Sequence, residues 1–63
     1  MNYRRAVVDK LETSGYVKVA HRGKGSHEAW KKGSHVQTVP RNIDDRNFAN
    51  DIMKQAGINH RFK

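Results

Sequence analysis

Lys24-Gly25-Ser26-His27 places an imidazole straight after a glycine-containing turn, with Arg22 and Lys24 before it and Lys31 and Lys32 after it. Histidine is the side chain whose ordinary pKa best lets it move a proton near neutral pH. Beside cations, that transfer suits one reaction in particular. RNA carries a 2′-hydroxyl next to its phosphodiester, and a neutral imidazole can take that proton as the oxygen attacks phosphorus. Nearby cations then stabilise the extra charge on the phosphoryl oxygens. The leaving 5′-oxygen needs a proton from a second group. Lys24, His35 and Tyr16 are the candidates, and the spacing does not choose among them. The route requires neither a metal nor a cysteine. DNA, lacking the 2′-hydroxyl, would be bound but not cut. His27 is therefore the candidate catalytic residue. Arg22, Lys24, Gly25 and Ser26 are candidate phosphate contacts, and Lys31 can extend the track along the strand.

The composition narrows the classes of partner. Thirteen Lys and Arg stand against six Asp and Glu, for a net charge of +7. The excess is segregated. Between Ser14 and Asn42 the cations are Lys18, Arg22, Lys24, Lys31, Lys32 and Arg41, and the one acid is Glu28, so this stretch carries +5 of the total. Such an excess implies an anionic partner, whether nucleic acid, an acidic membrane or an acidic protein, and solubility alone does not require the segregation. There is no cysteine, so neither a disulfide nor a thiolate site is available. No apolar run reaches the length of a membrane span or a secretory core, and the expectation is a soluble cytoplasmic protein. At 63 residues the chain reads as one domain with a small core.

The elements that must position these residues can be read from periodicity. Tyr3 to Ser14 is an expected helix: Tyr3, Val7 and Leu11 recur at i, i+4 and i+8, Asn2 can cap the start, and Gly15 can stop it at C′. Arg4 and Arg5 in its first turn oppose the helix dipole, which suggests use by a ligand. Tyr16 to Arg22 reads as a strand, with Val17, Val19 and His21 on one face. Arg22 to Ser26 is a turn, His27 to Lys32 a second strand, and His35 to Val39 a third, joined to the second through Gly33-Ser34 and ended by Pro40. Asp44 to Ala56 is an expected second helix, capped by Asp44 or Asn42, with an apolar face of Phe48, Ala49, Ile52, Met53 and Ala56 and a stop at Gly57-Ile58. Asn59 to Lys63 is expected to fray as a basic tail. The fold class is α+β, in the order α-β-β-β-α, with both helices on one face of a three-stranded antiparallel sheet.

Strand alternation gives His27 a side. Trp30, the bulkiest apolar residue of the second strand, should face the helices. His27 is three positions earlier and so faces away, with Ala29 and Lys31. The other histidines carry less. His21 falls on the Val17/Val19 face as a core-edge residue. His35 repeats the Gly-Ser-His tripeptide but heads a hairpin strand, and His60 lies in the tail. These four do not form a zinc-binding pattern. Gly23-Lys24-Gly25 is too short for a phosphate loop.

Several of these pieces together resemble the HicA (YcfA-like) toxins of toxin–antitoxin modules. They are the opening helix closed by Ser14-Gly15-Tyr16, Gly25-Ser26-His27 with an aromatic at Trp30, Thr38-Val39-Pro40-Arg41, and Ile52-Met53-Lys54-Gln55-Ala56-Gly57-Ile58. The resemblance implies a double-stranded-RNA-binding-domain-like fold and ribosome-independent mRNA cleavage with His27 as the catalytic residue and no cofactor. It also implies a monomer when free, neutralised in a hetero-oligomer with a HicB-type antitoxin that covers the His27 face. The chain departs from the family's pattern at Asn42, where a histidine often follows Pro-Arg, and at Asn47-Phe48-Ala49, where Gly-Thr-Leu is usual. The alternative is a non-catalytic RNA-binding module of the same fold.

Overall fold

A computed structural model of the chain describes residues 2–19 and 27–63. The elements are α1 (Arg4–Thr13), β1 (Val17–Lys18), β2 (His27–Lys32), β3 (His35–Pro40) and α2 (Arg46–Gln55). They realise the expected α-β-β-β-α order. The sheet is antiparallel throughout, with β2 between β1 and β3. Among the described residues no helix is long and apolar enough to cross a membrane.

Both helices stop where glycine permits it. After α1, Tyr16 N donates to Leu11 O and Gly15 N to Glu12 O, at 2.9 and 3.1 Å. After α2, Ile58 N donates to Met53 O and Gly57 N to Lys54 O at the same two distances. Each is a Schellman closure, and it needs a left-handed residue at C′. Gly15 and Gly57 supply it, at φ +99° and +72°. The starts are held by side chains. Asn2 Oδ1 accepts from Arg4 N at 2.9 Å and also from Ile43 N at 3.2 Å, which staples the entry of α1 to the β3–α2 link. Asp45 Oδ1 accepts from Asn47 N at 2.9 Å, so the cap of α2 is Asp45 rather than Asp44 or Asn42. Asn42 instead accepts from Asn2 Nδ2 at 3.0 Å.

The pairing register sorts the sheet residues by face. Lys18 lies opposite Trp30, Trp30 opposite Gln37, and Glu28 opposite Val39. Directly opposed residues share a face, so these belong to the side that the helices cover. The core is built there from Val7 and Leu11 of α1, Tyr16, Trp30 and Val39 of the sheet region, Ile43, and Ala49, Ile52 and Met53 of α2. Trp30 points to the helices, as alternation requires. Val17 does not. It is 67% exposed and lies opposite Lys31 on the other face, while Tyr16 is buried. The Val17/Val19 face is thus the open face rather than the core face, because pairing with β2, not hydrophobicity, sets the parity of so short a strand. His21 lies outside the described residues.

One further expectation is corrected. Phe48 is 41% exposed, since the buried stripe of α2 runs through Ala49, Ile52 and Met53 and leaves position 48 at its margin. The C-terminal segment, expected to fray, packs back on the fold. Asn50 clamps the Phe62 backbone from both sides, accepting from its N at 2.6 Å and donating to its O at 3.1 Å. Phe62 then packs on Tyr3 with ring centroids 5.7 Å apart.

Candidate functional site

His27 opens β2 and lies opposite Pro40, the last residue of β3. It is exposed. Trp30 fixes the parity of β2, so His27 stands with Ala29 and Lys31 on the sheet face that carries no helix. Lys31 is exposed and sits about 13 Å along the strand from His27, four residues at the extended rise. Across the sheet it lies between Val17 and Val36, which are 67% and 37% exposed. Arg22, Lys24, Gly25 and Ser26 lie outside the described residues.

The two candidate acids on described residues are not brought to His27. Tyr16 is buried on the helix side, and its hydroxyl donates to Ala56 O at 2.8 Å. His35 lies opposite Lys32, about 17 Å along β2 from His27, and on the other face. There its Nε2 meets Gln37 Oε1 at 3.2 Å, and its ring packs edge-on against Tyr16. Gln37, itself buried, donates to Gln55 Oε1 at 2.9 Å. Tyr16 and His35 therefore belong to a packing and hydrogen-bond chain between the sheet and α2, at the opposite end from His27. Neither lies beside His27. Of the three sequence candidates, Lys24 is the one left standing, by position in the chain alone.

Sequence reasoning missed Glu28. This carboxylate follows His27 in β2 yet points to the helix side, where it is 5% exposed. Arg4 Nη2 donates to its Oε2 at 2.5 Å, and Trp30 Nε1 approaches its Oε1 at 3.3 Å. Lys18 Nζ and Arg41 Nε lie 3.8 and 3.7 Å from the same Oε2. A cation from α1, one from β1 and one from the end of β3 thus converge on a single oxygen. Arg4 is placed in the first turn of α1 for this pair, which accounts for a cation at the unfavourable end of the helix. Two signals pointed to it. Glu28 is the lone acid of the basic stretch, and it shares the parity of Trp30.

The electrostatics of Glu28 follow from these contacts. Burial pushes its carboxyl up. The hydrogen bonds from Arg4 and Trp30, with the charges of Arg4 and Lys18, outweigh burial and hold it below its ordinary value of 4.5. A lowered folded pKa contributes stability above the unfolded value, and that stability is lost as pH falls through the folded one. The contribution of Glu28 to the urea midpoint should therefore be lost as pH falls below 4.5, so that the acid drop is reduced in Glu28→Gln. An acid drop of the same size in Glu28→Gln would contradict this assignment.

Comparison with family models, with curated proteins and with solved structures gives no match.

Proposed function

We propose that the protein is a metal-independent RNA endonuclease of the HicA type, with His27 as the general base. The observation that carries this reading is the placement of an exposed histidine at the head of the central strand, on the helix-free face, within the most basic part of the chain. An imidazole there is open to a strand of RNA laid across the sheet. It takes the 2′-hydroxyl proton, the 2′-oxygen attacks phosphorus, and the P–O5′ bond breaks to leave a 2′,3′-cyclic phosphate. Lys24 and Arg22, just ahead of His27 in the chain, hold the phosphoryl oxygens, and Lys24 protonates the departing 5′-oxygen. Lys31 extends contact along the strand.

The same face supports a second part of the reading, neutralisation by a HicB-type antitoxin. Val17 and Val36 flank Lys31 there and are exposed, which gives a partner apolar area on the same face as the catalytic histidine, about 13 Å along the strand from it. A protein seated on these three residues would cover His27 and stop cleavage. In cells the unneutralised protein would degrade mRNA and arrest growth. Purified protein incubated with RNA in EDTA should yield fragments ending in 2′,3′-cyclic phosphate, and RNA that stays intact under those conditions would remove the reading.

A further inference from the structure

The Glu28 cluster is unbalanced. All three cations stand within 3.8 Å of one carboxylate oxygen, and that carboxylate offsets only one of them. Arg4 makes the direct, part-buried pair. Lys18 and Arg41 stand at ion-pair rather than hydrogen-bond distance, with side chains 54% and 62% exposed. Arg41 approaches with Nε. Two exposed cations held this close repel each other, and a second anion relieves that repulsion.

The position of the cluster identifies the anion. His27 and Pro40 are opposed in the register; Glu28 is the next residue of β2, and Arg41 is the residue that follows β3. The cluster thus sits at the same end of the β2–β3 ladder as His27, on the opposite face of the sheet. A tetrahedral phosphate offers oxygens to both a guanidinium fork and an ammonium, a match that Arg and Lys make well. We propose that Lys18 and Arg41, pinned by Glu28, bind a backbone phosphate of the RNA strand, one that flanks the linkage at His27. The assignment of RNA rests on the proposed function above. Glu28 acts as the positioning residue: it draws both side chains to one point and sets their spacing.

The test uses a short fluorescent RNA with 2′-O-methyl groups throughout, which cannot be cut through a 2′-oxygen, so binding is read apart from chemistry. Anisotropy titrations over a range of salt compare the parent with Lys18→Gln and Arg41→Gln. Lys10→Gln and Lys54→Gln, in the last turns of the two helices at the opposite end of the sheet, serve as controls. Lys18→Gln and Arg41→Gln should each weaken binding several-fold and reduce the slope of log K against log salt by about 0.7, one phosphate contact on a single strand. The controls should match the parent. Both test side chains are more than half exposed, and unchanged melting temperatures would confirm that folding is retained. Unchanged binding in Lys18→Gln and Arg41→Gln, or equal weakening in the controls, would overturn the site. The two readings fail separately. Weakened binding in Arg41→Gln alongside a parent that cuts no RNA keeps the phosphate site and removes the nuclease. Cleavage by the parent alongside full binding by both variants does the reverse.

Discussion

His27→Ala should lose RNA cleavage by about 10²–10⁴-fold, the range that a positioned general acid or base contributes, while the fold stays intact. The two halves of this expectation have separate causes. The chemical loss follows because alanine cannot accept the 2′-hydroxyl proton, and the spacing brings neither Tyr16 nor His35 near enough to substitute. The structural tolerance follows because His27 is exposed at the head of β2 and lies outside the buried cluster. The measurement is a single-turnover cleavage rate, paired with a thermal melt of the same sample. Growth arrest on expression should disappear in parallel. A variant that melts like the parent and cuts at the parental rate would remove His27 from the mechanism.

Arg4→Met should be the most damaging single substitution outside the hydrophobic core. It leaves the Glu28 carboxylate 5% exposed, with Lys18 and Arg41 too far for hydrogen bonds and Trp30 at 3.3 Å. Breaking a buried pair from one side costs about 3–5 kcal/mol. The lower end, about 3 kcal/mol, applies here because the Arg4 side chain is 32% exposed and its Nε is buried without a partner among the described residues. For a chain with so small a core, that is a large share of its stability. Adding Glu28→Leu to Arg4→Met should recover most of the loss, since a buried pair replaced by apolar groups is often close to neutral. Urea denaturation of the parent, the single and the double variant measures all three. A cost below about 0.5 kcal/mol for Arg4→Met would mean that the pair behaves as an ordinary surface contact.

How far the fold could be read depended on whether the cause was local. Gly15 and Gly57 end their helices through contacts within six residues of chain, and periodicity found both. Trp30 fixed the parity of β2 because a bulky indole has one acceptable side, and that placed His27 on the open face. The parity of β1 was not legible. Val17 and Val19 alternate like core residues, but only pairing with β2 shows that the buried member is Tyr16. Glu28 is the clearest case of a long-range cause. Its burial depends on Arg4 at 24 residues' separation, on Lys18 from β1 and on Arg41 just after β3, so no window of sequence contains its partners. The C-terminal segment is similar. Its basic composition suggested fraying, while its contacts with the fold come from an amide clamp by Asn50, twelve residues earlier. The candidate acids show the limit for the site. Tyr16 and His35 were chosen by residue type, and their hydrogen bonds to Ala56 and Gln37 commit them elsewhere.

The central claim is that His27 activates a 2′-hydroxyl. Its most direct test is an RNA that the protein cuts at one mapped linkage, compared in EDTA with the same strand carrying a single 2′-deoxy residue on the 5′ side of that linkage. The expected result is cleavage of the first to a 2′,3′-cyclic phosphate and none at the altered linkage of the second. Cleavage of the 2′-deoxy linkage at a comparable rate would contradict it.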